Sequence, residues 1–388
     1  VSTSQEAAYA QRLRLTEWLL TDALPVWSTV GVDEKGGFYE RIDRHRLAVP
    51  GPRRLHTVCR QIYSFGAIQV LGGGGECLVT HGLEFLQKMA LPEGFFAREY
   101  DPSTHTPDAT FDLYRHSFVL FALATAADVL PHRRNELAHQ ARDLRERLRR
   151  TYAHPIAGFE ESQPPVEPLK SNPHMHLLEA ALAWEETGPL AGDDGWARLS
   201  DELAELALRK FRHANGAVRE YFTQTWDPMP DASGTWVEPG HQFEWAWLLV
   251  KWGKARQRPD ALNAARRLAD IGELYGTDPR RGVAFNVLLD TFATHDTNAR
   301  LWPQTERIKA WAALAEIAQS APERDTCLQN AALAATGLWA YLSGLKGLWR
   351  DVMRPDGTFA DDPSPATSLY HIVCAILELQ RIQKPLRK

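Results

Sequence analysis

The chain is short of the residues that mark several function classes. Its four cysteines, Cys59, Cys77, Cys327 and Cys374, stand far apart in 388 residues. None has the paired spacing of a zinc site, and four scattered thiols make no disulfide framework, so the cytoplasm is the expected compartment. Positive charge is also scarce, with 44 Lys and Arg against 49 Asp and Glu, a formal net charge of −5. That balance offers no overall field for nucleic acid or an anionic membrane, and neither partner is expected. No apolar run approaches the ~20 residues of a membrane span. The opening VSTSQEAAYAQRLRL lacks a basic-then-apolar leader. Arg142, Arg145, Arg147, Arg149 and Arg150 alternate with acidic and apolar residues, and read as the solvated face of one helix.

What the chain does have is a repeat. Six stretches place a glycine before apolar or aromatic residues: GGFYERI at 36–42, EGFFAREY at 93–100, AGFEES at 157–162, NGAVREYF at 215–222, RGVAFNVL at 281–288 and KGLWRDVM at 346–353. Each reads as a tight turn opening a short extended strand. Amphipathic helical patterns such as ARDLRERLRRTYA and DELAELALRKFRHA precede the turns. More evenly apolar ones such as HSFVLFALATAADVL and HQFEWAWLLVKW follow them. A period of about 60 residues suits a helix–turn–helix unit. Six units without atypical capping repeats predict a closed ring, an all-α (α/α)6 barrel spanning residues 1–388 as one domain. Charged helices belong on its outside and apolar helices inside.

The start of each apolar helix carries large polar residues: Arg60, Tyr114 with His116, His176, His241 with Glu244, Glu306, and His371. In a closed ring these starts converge at one end, where helix N-termini also favour oxygen-rich ligands. Tyr114, Trp245, Trp302, Trp349 and Tyr370 add aromatic faces. Polar groups interleaved with rings suit a sugar, whose hydroxyls need hydrogen bonds and whose C–H faces stack.

Each residue alone has a blander reading. A helix-start histidine serves equally as a cap or a satisfied core group. In SNPHMHLLEA either His174 or His176 can face inward, and Asn172 is a candidate helix cap. Trp302 and Trp349 fit a core, and Glu306 fits a pair with Arg300 or Arg307. His241 and Glu244, three apart on a helix predicted to start at about His241, share one face and raise the question of a metal. No His-Glu-x-x-His run or cysteine cluster supports one, and the other candidate ligands come from separate units, so no metal or other cofactor is expected. GGGG at 72–75 follows a helical pattern instead of a strand, so it is not a phosphate cradle.

NPHMHLLEA, EPGHQFEW, RLWPQTERIKA and SLYHIV together resemble the N-acylglucosamine 2-epimerase family, which includes mannose-type aldose–ketose isomerases and cellobiose 2-epimerases. The resemblance runs from Arg60 to His371. It implies the (α/α)6 barrel and metal-independent proton transfer on an open-chain sugar. It also implies that His241 and His371 are the catalytic pair and that Glu244 supports His241. Arg60, Tyr114, Asn172, His176, Trp302, Glu306 and Trp349 are implied as sugar-site residues. PATSLYHIV, with tyrosine before the histidine, resembles the isomerase branch. The expected partner is a small-molecule sugar, with a homodimer as the candidate assembly.

Overall fold

The two helix types differ in how much of their surface is apolar, and that difference sorts them into two layers. The computed structural model describes residues 2–188 and 190–382. Among the described residues, twelve long helices alternate along the chain. The odd-numbered ones are α1 (Thr3–Trp18), α3 (Glu76–Lys88), α5 (Arg134–Tyr152), α7 (Gly195–Leu206), α9 (Pro259–Leu274) and α11 (Ala321–Leu342). The even-numbered ones are α2 (Leu55–Ile68), α4 (Leu113–Val129), α6 (Ser171–Thr187), α8 (Pro239–Arg256), α10 (Trp302–Glu316) and α12 (Thr367–Arg381).

In α5 the buried positions are Leu137, Ala138, Ala141, Leu144, Arg145, Leu148 and Tyr152, one stripe at helical spacing. In α8 nearly every residue from Pro239 to Val250 is buried, as a helix enclosed on all sides requires. Consecutive even helices pack side by side, α12 packs back on α2, and α11 packs on α1. The result is a closed inner ring inside an outer ring, an (α/α)6 barrel. The basic face expected on α5 is interrupted by Arg145, which is buried against Trp196 and bonded to Asp193 at 2.9 Å.

The six glycine turns lie at one end. Among the described residues, short antiparallel strands stitch five of the six turns to the start of an inner helix one unit earlier. Tyr221–Phe222 pair with Leu169–Lys170 before α6, and Val287–Leu289 pair with Trp236–Val237 before α8. Val352–Met353 pair with Ala299–Arg300 before α10. The ring closes where Arg41–Ile42, from the first turn, pair with Ser364–Pro365 before α12. Among the described residues no helix is long and apolar enough to cross a membrane.

Candidate active site

Polar side chains on the inner helices first serve the fold. Phe96 N–H donates to His116 Nε2 at 3.1 Å, and Phe159 N–H donates to His174 Nε2 at 3.0 Å. Gln242 and Gln304 accept in the same way from Val218 and Ala284. The second to fifth turns are thus tied to the inner helices that follow them, each satisfying a buried amide. Burial holds His116 and His174 near pKa 4, neutral and able to accept. His174 is therefore a fold residue, and His176 is the one that faces inward.

A cavity of about 370 Å³ opens at the turn end of the barrel. Its wall includes Arg60, Tyr114, Asn172, His176, His241, Glu244, Trp302 and His371, eight of the ten residues singled out in the sequence. It also includes His56, Arg54, Glu238 and Arg300, which the sequence reading passed over.

α8 begins at Pro239, two residues before the expected start, with proline in the first turn where its missing N–H costs nothing. A Cβ on Gly240 would lie 2.4 Å from the Trp302 ring, so only glycine lets that ring approach. Trp302 packs 5.1 Å from His241 and 5.8 Å from His371, centroid to centroid, and so touches both histidines.

The carboxylate that holds His241 is Glu220, not Glu244. His241 Nδ1 donates to Glu220 Oε2 at 2.8 Å, and Ser171 Oγ donates to the same oxygen at 3.0 Å. The expectation that Glu244 supports His241 is corrected: Nδ1 turns toward the preceding glycine turn, where Glu220 sits. Burial alone would lower the His241 pKa. The Glu220 and Glu238 carboxylates outweigh it and push it up to about 10, so the ring is an imidazolium at neutral pH.

His371 Nδ1 lies 2.8 Å from Glu306 Oε1. Lys309 Nζ, fully buried, sits 2.6 Å from the other Glu306 oxygen and offsets its charge. Burial, with the Arg60 and Lys309 cations nearby, holds His371 well below the usual histidine range. Its Nε2 is then a free acceptor. Glu306 is accordingly behind the histidine and does not line the cavity, which corrects its expected place as a sugar contact. Trp349 is corrected too: it is buried, stacked on Trp27 at 4.6 Å, and donates its indole N–H to Pro365 O. Trp245 packs against Phe211 in the barrel wall.

Glu244 is 1% exposed, and its Oε1 has no hydrogen-bond partner. Burial and the nearby Glu306 carboxylate push its pKa well above the usual carboxyl range, against the pull of Lys309, which favours the neutral acid. Arg60 donates to Tyr114 Oη at 2.8 Å and packs over Phe118 and Tyr370, leaving its Nε unpaired. Asn172 is in the first turn of α6, not at its cap, and its Oδ1 is unpaired. Buried polar atoms without partners are costly unless a ligand satisfies them, and these three suit hydroxyl and carbonyl oxygens. His176 Nδ1 is fixed by Glu179 at 3.0 Å, and Tyr370 Oη donates to that carboxylate at 2.5 Å.

Two groups of donor atoms are close enough to consider as metal ligands: Glu220, Glu238 and His241, and His176, Glu179 and Glu244. In each, the histidine Nδ1 is already hydrogen-bonded to a carboxylate of the same group. Coordination through Nδ1 would break that bond.

This arrangement can take a proton at one ring nitrogen and give one at another within a single polar cavity. The sequence profile described as N-acylglucosamine 2-epimerase (GlcNAc 2-epimerase) matches residues 37–375. The chain belongs to the N-acylglucosamine 2-epimerase family. It is an enzyme of the isomerase class, an aldose–ketose isomerase or a sugar 2-epimerase. A protein named Mannose-6-phosphate isomerase from Rhizobium meliloti (strain 1021) is 43% identical over 380 residues, 96% of this chain and 97% of its own length. Among solved structures, a D-mannose isomerase superposes with a TM-score of 0.81 at 19% identity, over 98% of both chains. The cellobiose 2-epimerase from Spirochaeta thermophila DSM 6192 gives 0.82 at 20% identity, also over 98% of both. These two likenesses show that the N-acylglucosamine 2-epimerase family fold extends over the full ring.

Proposed function

We propose that the protein interconverts a mannose-like aldose and its ketose through an enediol. The observation that carries the reading is two histidines on one cavity, each held at Nδ1 by a buried carboxylate, in surroundings that favour the neutral ring for His371 and the cation for His241. His371 Nε2 takes the proton from C2 of the open-chain aldose, while His241 Nε2–H donates to O1 and gives the neutral enediol. His241 then recovers a proton from O2 as His371 returns its proton to C1, and the ketose forms with both histidines restored. A C–H beside a carbonyl is a weak acid, so the developing oxyanion needs prearranged donors. Arg60, the His241 imidazolium and the neutral Glu244 carboxyl are suited to that work. The relatives named for mannose and mannose-6-phosphate isomerisation support this direction.

The second reading is 2-epimerisation, in which one histidine removes the C2 proton and the other returns one from the opposite face. The acid and base states of the pair suit that chemistry as well. Incubation with mannose in deuterated water tests the choice. Fructose is expected, with deuterium at C1 to the extent that the proton on His371 exchanges with solvent before its return. Glucose deuterated at C2, with no ketose, sinks the isomerase reading.

A further inference from the structure

The cavity wall changes character toward its mouth. Arg41 comes from the strand that closes the ring, Arg54 from the strand before α2, and Arg300 from the strand before α10. All three line the same cavity as the histidines. Three guanidiniums on one wall suit an anionic group better than neutral hydroxyls.

We infer that Arg41, Arg54 and Arg300 form a subsite for the phosphate of a phosphorylated hexose. The inference rests on the aldose–ketose reading and names the substrate class of that site.

Three carboxylates face these cations: Glu40 on Arg54, Glu238 near Arg300, and Asp351, which accepts from Ser368 Oγ at 3.3 Å and feels Arg300 and Arg41. Glu244 favours its neutral form. Arg54 is held in place by its Nε bond to Glu40 Oε2 at 2.7 Å. Among the described residues its terminal nitrogens make no hydrogen bond, and Arg41 makes no ion pair. Arg300 comes no closer to a carboxylate than 3.8 Å, to Glu238, and packs over Trp302. A phosphate monoester carries about −1.5 to −2 charge at pH 7, more than any one of these carboxylates, so it competes well with each for its cation. Guanidinium forks match its oxygens two at a time.

The test is kcat/KM for mannose, mannose 6-phosphate and mannuronate, in the wild type and in Arg41→Gln and Arg300→Gln. The wild type is expected to prefer the phosphorylated sugar by about 100-fold or more. Each substitution is expected to cut that preference by roughly tenfold, mainly through KM. Inorganic phosphate should inhibit competitively, and more weakly in both variants. Equal or better use of free mannose by the wild type overturns the subsite. So does a preference for mannuronate, or an equal loss toward both mannose substrates in the variants. A phosphate preference with only the C2 epimer as product keeps the subsite and removes the isomerase reading. Fructose formed from free mannose without any phosphate preference does the reverse.

Discussion

Glu220 reaches His241 across the gap between the fourth glycine turn and α8, and the 2.8 Å bond from Nδ1 fixes both the ring's orientation and its charge. Glu220 also accepts from Ser171 at the start of α6, so one carboxylate ties two inner helices to the candidate acid.

Removing that charge should release the acid. In Glu220→Gln the His241 pKa falls from about 10 toward the ordinary histidine value of about 6.5. The alkaline limb of kcat/KM, where His241 loses its proton, should move down by at least one pH unit. Activity at pH 8 should drop by about tenfold or more. An unmoved alkaline limb in a folded variant would remove His241 as the acid.

Lys309 governs the other limb. His371 must be neutral to act as the base, so activity rises as pH climbs through its depressed pKa. Lys309→Met removes a nearby cation and leaves Glu306 unpaired, so the His371 pKa should rise and the acid limb should shift to higher pH. Breaking this buried pair should also cost about 3–5 kcal/mol in stability. A pH–rate profile below pH 7 reads the first effect and denaturant unfolding the second.

The histidines themselves give the direct test of the pair. His241→Ala and His371→Ala should each lower kcat by about 100- to 10,000-fold with little change in circular dichroism. Near-wild-type turnover in either variant would take that residue out of the chemistry.

Dialysis against EDTA should leave turnover unchanged, because the histidine nitrogens nearest to potential ligand groups are engaged with carboxylates. A loss restored by a divalent ion would show that one of the two clusters binds metal in solution.

The turns should be fragile in a way that the site is not. Gly158 has φ +76°, and an added Cβ would meet His174 Nε2 at 2.7 Å, at the atom that accepts from Phe159. Gly158→Ala should lower stability by about 1–3 kcal/mol in thermal unfolding. Turnover well below the melting transition should persist.

The fold was readable because six glycine turns and two kinds of helix recur in order, and each cue is local. The partners of the histidines were harder, because neither lies where helix spacing points. Glu244 shares a helix face with His241 at i+3, yet His241 bonds to a residue 21 positions earlier. Glu306 reaches His371 over 65 positions. A usable signal was present in the turns. Two residues beyond the buried residue of the first, fourth and sixth turns (Phe38, Val218 and Trp349) stand Glu40, Glu220 and Asp351. These accept from Thr57, His241 and Ser368 at the starts of the following inner helices. Trp349 misled for the same reason: it occupies the buried phase of its turn, and its ring stacks on Trp27.

Ring closure by α12 ties the proposed chemistry to the last inner helix. His371 lies on that helix, while Arg60 and Tyr114 lie on the first two. On the proposed assignment, a product truncated or nicked before α12 loses the base and the seal of the ring together, and such a copy is expected to be silent instead of a poorly controlled catalyst.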